Sequence, residues 1–170
     1  MNALRQALPR AAVLIVLAAS LTACGFHLRG SDGRFNMPFQ SIYLAFPETS
    51  PLGTELKRNL RGGDTRVATE AGQAQARFDV LSESRGKSIL SLNSQGRVRE
   101  YLLTYTLVFR VRDTAGAELL GPTEINLKRS ITFNETEVLA KESEEALLYR
   151  DMQTDLVQQI LRRLAAIKPV

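Results

Sequence analysis

The sequence has few of the residues that carry most catalytic and metal chemistry. Its 170 residues include one cysteine, Cys24, and one histidine, His27. A lone cysteine excludes an intrachain disulfide, and a lone histidine is too little for a zinc or haem site. There is also no glycine-rich phosphate loop and no Cys-x-x-Cys motif. The sequence therefore argues against an enzyme, and it predicts no catalytic residue, no cofactor and no metal.

Two groups invite a catalytic interpretation, and in both a simpler one is favoured. His27 lies three residues after Cys24 and has no carboxylate placed beside it by a clear element. A polar residue near a membrane interface is favoured over a general base. Glu142, Glu144 and Glu145 could be arranged as a metal or acid/base cluster, but acidic residues near the start of a helix suit the helix macrodipole, so a solvated first turn is favoured.

Long apolar runs are missing too, except for one from Ala11 to Ala19. It follows Arg5 and Arg10 and is closed by Leu21-Thr22-Ala23-Cys24, the layout of a secretory signal that ends at a lipid-modified cysteine. We predict that residues 1 to 23 are cleaved and that Cys24 is acylated. Because the run is too short to span a bilayer, the mature protein is expected to be anchored to a membrane by its lipid.

The charge balance argues against a nucleic-acid partner and excludes few other classes of function. The chain has 22 basic and 18 acidic residues; the leader holds two arginines and no acid, so the remaining 147 residues carry 20 and 18. That small excess does not indicate a nucleic-acid partner. A chain of this length is enough for one domain with a core. We expect a lipid-anchored tether over residues 24 to 38, where no period is visible, and a single domain over residues 39 to 170.

The domain is expected to begin with a strand and a helix. Apolar residues alternate over residues 41 to 46, which predicts a strand. Ser50-Pro51 has the form of an N-cap followed by proline at the first helical position, and Leu52, Leu56 and Leu60 recur every four residues. We expect Gly62-Gly63 to end this helix in a left-handed cap.

Three strands and a long helix are predicted next. Residues 76 to 92 form a strand with a bulge or kink near Gly86. After a turn at residues 93 to 96, the odd-numbered positions from Tyr101 to Val111 are all apolar, which predicts a central strand with one buried face. A third strand covers residues 125 to 133, and helical spacing then runs from about Val138 to Ile167.

This order of elements predicts the fold class. The last three strands suit an antiparallel meander, and two helices on one face of the sheet bury both apolar stripes. We therefore expect an α+β, two-layer sandwich in which two helices cover one face of a four-stranded, mostly antiparallel sheet. The first strand reaches the sheet through a helical crossover, so it should lie parallel to a neighbour.

Basic residues at the end of the central hairpin form the candidate binding site. Arg97 and Arg99 share parity with the apolar face of the strand that follows them, and Arg85 and Lys87 lie on the partner strand. Apolar surface beside guanidinium groups suits an anionic amphiphile such as a phosphorylated lipid. The alternative is that these are solvated residues that protect a strand edge. For Lys141, near the start of the long helix, a surface ion pair is favoured over a ligand role.

At the predicted lipidation point, Cys24-Gly25-Phe26-His27-Leu28-Arg29-Gly30 resembles the start of mature proteins of the LptE family of lipopolysaccharide-assembly lipoproteins. The order of elements over nearly the whole mature chain supports this, as do Glu100-Tyr101 and Leu139-Ala140-Lys141 at the starts of their elements. The resemblance implies an outer-membrane lipoprotein that binds lipopolysaccharide and plugs the lumen of the β-barrel LptD from the periplasmic side in a 1:1 complex. It also implies that Lys141 and the hairpin over residues 93 to 99 meet the lipid, although the turn here, Asn-Ser-Gln-Gly, is uncharged.

Two other classes of function remain open at this point. One is a different outer-membrane lipoprotein of similar fold, serving as an auxiliary subunit of a lipid-trafficking transporter. The other is a lipid-tethered periplasmic hydrolase, against which the single histidine argues. Co-purification with a large barrel would separate the first from the LptE expectation, and an activity screen with His27→Ala would test the second.

Overall fold

A computed structural model describes residues 35 to 168 of the chain. The predicted signal peptide, Cys24, His27 and most of the predicted tether lie outside the described residues. Within them, the strands are β1 (Ser41–Ala45), β2 (Arg66–Ala68), β3 (Ala76–Leu92), β4 (Val98–Asp113) and β5 (Glu118–Thr132). The helices are α1 (Pro51–Arg61) and α2 (Val138–Ala165), and short 3-10 turns cover Ala71–Gln73 and Glu135–Glu137.

The five strands form one mixed sheet in the order β2-β1-β3-β4-β5. β1 lies parallel to both of its neighbours, β2 and β3, whereas β3, β4 and β5 form an antiparallel meander. The predicted α+β class, the meander and the parallel first strand are confirmed. The predicted count of four strands is wrong, because β2 is only three residues long and too short to show an alternating pattern in the sequence.

The first helix starts as predicted and ends differently. The Ser50 side chain accepts a hydrogen bond from the Gly53 backbone N–H at 3.0 Å, and Pro51 takes the first helical position. Gly62 follows the helix with φ −75°, a right-handed conformation, so the predicted left-handed cap is wrong. The Gly62 N–H instead donates to the Asn59 carbonyl at 3.2 Å and the Gly63 N–H to the Leu60 carbonyl at 3.1 Å, which closes a tight last turn. The glycine inside the helix has a packing role: a Cβ at Gly53 would lie 2.7 Å from the Phe46 side chain.

One face of the sheet carries both helices and the core. The odd-numbered side chains of β4 from Leu103 to Val111 are buried on that face, as the alternation predicts. The apolar stripes of the two helices pack onto it; their fully buried members include Leu52 and Leu56 of α1 and Met152, Leu156 and Ile160 of α2. The opposite face of the sheet has no helix among the described residues.

A bulge in β3 decides which of its side chains face the helices. The pairing with β4 shifts between Val80 and Ser82. Before the bulge, Phe78 pairs with the buried Val111, and after it Arg85 pairs with the buried Tyr105, so the helix-facing positions change from even to odd. The sequence led us to expect the irregularity near Gly86. That glycine instead permits a close approach, because a Cβ there would lie 2.7 Å from the Thr104 hydroxyl.

Candidate functional site

The candidate site lies at the far end of the β3–β4 hairpin, here called the hairpin end: residues 85 to 101 and the facing segment 131 to 149. A tight turn builds its tip. The Asn93 carboxamide oxygen accepts hydrogen bonds from the backbone N–H groups of Gln95 and Arg97 at 3.0 and 2.9 Å. Gly96 has φ 76°, a left-handed conformation that favours glycine. Asn93 and Gly96 thus determine where β4 begins and where its first basic residues lie.

Arg97 and Arg99 are the outer basic residues of the hairpin end. The Arg97 guanidinium lies 3.8 Å from the Glu135 carboxylate, and both side chains are exposed. Arg99 is also exposed, and its side chain makes no hydrogen bond or ion pair with any residue in the described range. Its backbone carbonyl accepts from the Phe133 N–H at 2.8 Å, which joins β4 to the end of β5. Both guanidinium groups therefore have donors free for an external anion.

Arg85 and Lys87 are inner residues that already have partners on α2. The Arg85 guanidinium stacks over the Tyr105 ring at 4.4 Å and donates hydrogen bonds to the Tyr105 hydroxyl and to Gln153, both at 3.0 Å. The Lys87 ammonium lies 2.6 Å from the Glu145 carboxylate. The bulge in β3 turns both side chains towards the helix, so they connect β3 to α2 as well as adding positive charge.

Lys141 occupies a half-buried position at the start of α2. Its ammonium donates to the Thr132 hydroxyl at 3.1 Å and to the Glu144 carboxylate at 2.9 Å. Of the acidic cluster considered as a metal or acid/base site, Glu144 therefore pairs with Lys141, and Glu145 pairs with Lys87. Within residues 35 to 168 no group of three or more His, Cys, Asp or Glu side chains is placed to hold a metal ion.

Polar contacts and two partly buried side chains, Leu148 and Tyr149, hold the first half of α2 on the sheet. The first fully buried side chain of this helix is Met152. Before it, Tyr149 donates to the Gly86 carbonyl at 2.7 Å, and burial together with the Glu145 carboxylate raises the pKa of Tyr149. Beneath the helix, burial and the hydrogen bond to Glu83 raise the pKa of Tyr105 to about 12.

Exposed apolar side chains border these polar residues. Ile89 is 57% exposed and Leu139 is 80% exposed. Leu90, Leu92, Val138 and Leu147 are also large and exposed. Sequence reasoning missed this set, although the adjacent pair Ile89-Leu90 breaks strict alternation and was the available signal. The hairpin end therefore combines free guanidinium groups with apolar surface, an arrangement that suits a ligand with both anionic and hydrocarbon parts.

Among the described residues, neither helix is long and apolar enough to cross a membrane. The fold as a whole is shared with solved lipoproteins. An uncharacterized lipoprotein B from Nitrosomonas europaea is 39% identical with a TM-score of 0.72, covering 84% of this chain and 91% of that one. The rare lipoprotein B from Shewanella oneidensis is 25% identical with a TM-score of 0.62, covering 74% and 94%. The chain thus has the α+β fold of a class of small bacterial lipoproteins.

The family model for LptE, described as lipopolysaccharide-assembly, matches residues 39 to 164. The chain is also 28% identical over 160 residues to the LPS-assembly lipoprotein LptE of Pectobacterium atrosepticum, covering 91% of this chain and 84% of that relative. The chain therefore belongs to the LptE family, and the resemblance noted in the sequence is confirmed.

Proposed function

We propose that this protein is a non-enzymatic outer-membrane lipoprotein that binds lipopolysaccharide at the hairpin end and takes part in its assembly at the cell surface. Family membership and the lipopolysaccharide-assembly names of its relatives support the process. The observation that carries the binding role is the juxtaposition of free guanidinium groups and exposed apolar side chains at one end of the sheet. Lipopolysaccharide carries phosphates, which guanidinium groups can bind, and acyl chains, which apolar side chains can contact.

Within this site, Arg97 and Arg99 are proposed as the direct phosphate ligands. Forked guanidinium donors bind phosphate oxygens in pairs, and neither residue has to give up a strong internal partner. Lys141 lies on the facing helix and would add a third positive charge after releasing Glu144. Arg85 and Lys87 complete the basic set from inside, although each would have to release a partner on α2 to meet a phosphate directly.

The proposed partner is the β-barrel LptD, in a 1:1 complex in which this domain lies inside the barrel lumen on the periplasmic side. The compact domain and the predicted lipid at Cys24 support this placement. A lipid anchor would hold the domain at the membrane, leaving the long sheet free to enter a lumen. In this role the protein positions lipid and breaks no covalent bond.

The test is lipopolysaccharide binding by Arg97→Ser/Arg99→Ser in about 0.15 M salt, where exposed charges are screened beyond about 8 Å. We expect affinity to fall at least tenfold, because each lost charged hydrogen bond contributes about 1.5 to 3 kcal/mol. The control is Lys57→Ser/Arg162→Ser, which removes two exposed positive charges from α1 and from the last turn of α2, away from the hairpin end. Equal lipopolysaccharide affinity in the two double variants, with normal folding, would contradict the proposed site. Failure of the wild-type chain to co-purify with the LptD barrel would contradict the proposed partner.

A further inference from the structure

A second concentration of arginine lies on the helix-free face of the sheet. Arg77 of β3 and Arg110 and Arg112 of β4 surround the carboxylate of Asp79 and are here called the arginine triad. Arg77 lies 2.6 Å from Asp79, Arg112 lies 2.7 Å away and Arg110 lies 3.4 Å away. Strand register explains the grouping, because Arg77 pairs with Arg112 and Asp79 pairs with Arg110 across the two strands.

Asp79 organises this cluster without neutralising it. Asp79 is 7% exposed, and burial alone would raise the pKa of its carboxyl, but the hydrogen bonds and charges of Arg77 and Arg112 outweigh that effect and hold the pKa below its usual value. One negative charge therefore serves three guanidinium groups. The three side chains remain 43%, 32% and 28% exposed for Arg77, Arg110 and Arg112.

Most donors of the triad are unused. Arg77 and Arg110 each contact Asp79 through Nε, and their terminal nitrogens have no acceptor among residues 35 to 168. Glu118 and Glu124 of β5 lie on the same face, opposite Arg112 and Val108, but neither forms an ion pair with the triad within 4.0 Å. The triad thus presents ordered, outward-facing guanidinium forks that have already lost conformational freedom.

The surroundings of the triad are those of a protein interface. Tyr43 lies under the Arg77 guanidinium at 5.9 Å, and Leu81, at the β3 bulge two residues after Asp79, is exposed. Tyrosine and arginine beside exposed apolar groups are the composition of interaction hot spots. The nearby Glu118 and Glu124 limit an anionic partner to carboxylates placed over the triad itself, which a protein surface or a short acidic peptide can supply.

We infer that the arginine triad is a docking surface for a carboxylate-bearing protein, in which acidic side chains of the partner bridge Arg77 and Arg110. This rests on the proposed function for the identity of the partner, the LptD barrel. It is separate from the lipid site: Arg110 is eleven residues along β4 from Arg99, which corresponds to roughly 36 Å of extended strand. One face of the domain would then hold the partner while the far end of the hairpin holds lipid.

The experiment measures binding of the full chain to detergent-solubilised LptD at about 50 and 300 mM salt, on either side of the range in which surface charges are strongly screened. Arg77→Gln/Arg110→Gln removes the free forks and keeps Arg112, whose Nε and Nη2 both contact Oδ2 of Asp79, and a thermal melt checks that the variant folds. We expect at least tenfold weaker barrel binding at low salt, a smaller salt dependence, and unchanged lipopolysaccharide binding. Arg77→Lys/Arg110→Lys should recover part of the affinity, and Lys57→Gln/Arg150→Gln should bind like the wild type.

A second probe removes the dependence on the barrel. Hexaglutamate is titrated into the full chain by calorimetry, with hexaglutamine as the neutral control. Binding of hexaglutamate that disappears in Arg77→Gln/Arg110→Gln supports the surface even if the wild-type chain fails to bind LptD, an outcome that would overturn only the proposed function. Unchanged barrel affinity in the Gln variant overturns the docking surface, as does a failure to bind hexaglutamate. A loss confined to lipopolysaccharide binding also overturns it, because the triad would then be a lipid site.

Discussion

Arg85 offers the sharpest test of how the hairpin end is built, because the sequence assigns it to a ligand and the structure gives it internal partners. Arg85→Met removes the guanidinium and keeps an unbranched apolar stem. The variant loses two hydrogen bonds of 3.0 Å, to Tyr105 and Gln153, and the stacking on the Tyr105 ring at 4.4 Å. Each of these hydrogen bonds contributes about 0.5 to 1.5 kcal/mol, and an exposed cation–π contact about 0.5 to 1 kcal/mol.

We therefore expect Arg85→Met to lower the free energy of unfolding by about 2 kcal/mol. With an m-value of about 2 kcal/mol/M, the urea midpoint falls by about 1 M, measured by circular dichroism at neutral pH. The matched control is Arg99→Met, whose exposed side chain has no internal partner in the described range, so its midpoint should stay close to the wild type. If Arg85 serves only the ligand, the two variants will have the same midpoint, and the reasoning from its contacts is wrong.

Three further predictions concern the core, the buried tyrosine and the anchor. Leu107→Asp should prevent folding, because the side chain is fully buried and an unpaired carboxylate there costs several kcal/mol; a wild-type thermal melt would contradict the strand register. Tyr105→Phe should be less stable than the wild type at neutral pH, and the difference should shrink between about pH 10 and 12, because the folded-state pKa of Tyr105 is raised from 10.0 to about 12. A pH-independent difference in urea unfolding would exclude that linkage. Cys24→Ser should give an unprocessed precursor or soluble periplasmic protein, and persistence in outer-membrane fractions after depletion of the barrel would refute the anchor.

The candidate site was only partly predictable from the sequence. The sequence placed Arg85 and Lys87 on the strand that pairs with β4, and the register shows that pairing. The local pattern gave no sign that α2 would lie over them, because Gln153 and Glu145 are separated from them by 68 and 58 positions. The arginine triad was missed for a related reason, because the approach of Arg110 to Asp79 depends on the pairing of two strands.

Local chemistry is what the sequence determined by itself. Patterns among neighbours a few residues apart predicted the serine cap and proline of α1, the glycine turn of the hairpin and the buried face of β4. The order of these elements predicted the α+β class, and a short motif indicated the family. Tertiary structure decided the short edge strand β2, the right-handed end of α1 and the bulge after Val80. Each depends on hydrogen bonds or packing between segments distant in the chain, whose geometry no local period encodes. For the same reason, only the fold showed that one strand pair directs some arginines towards a helix and others onto an open face.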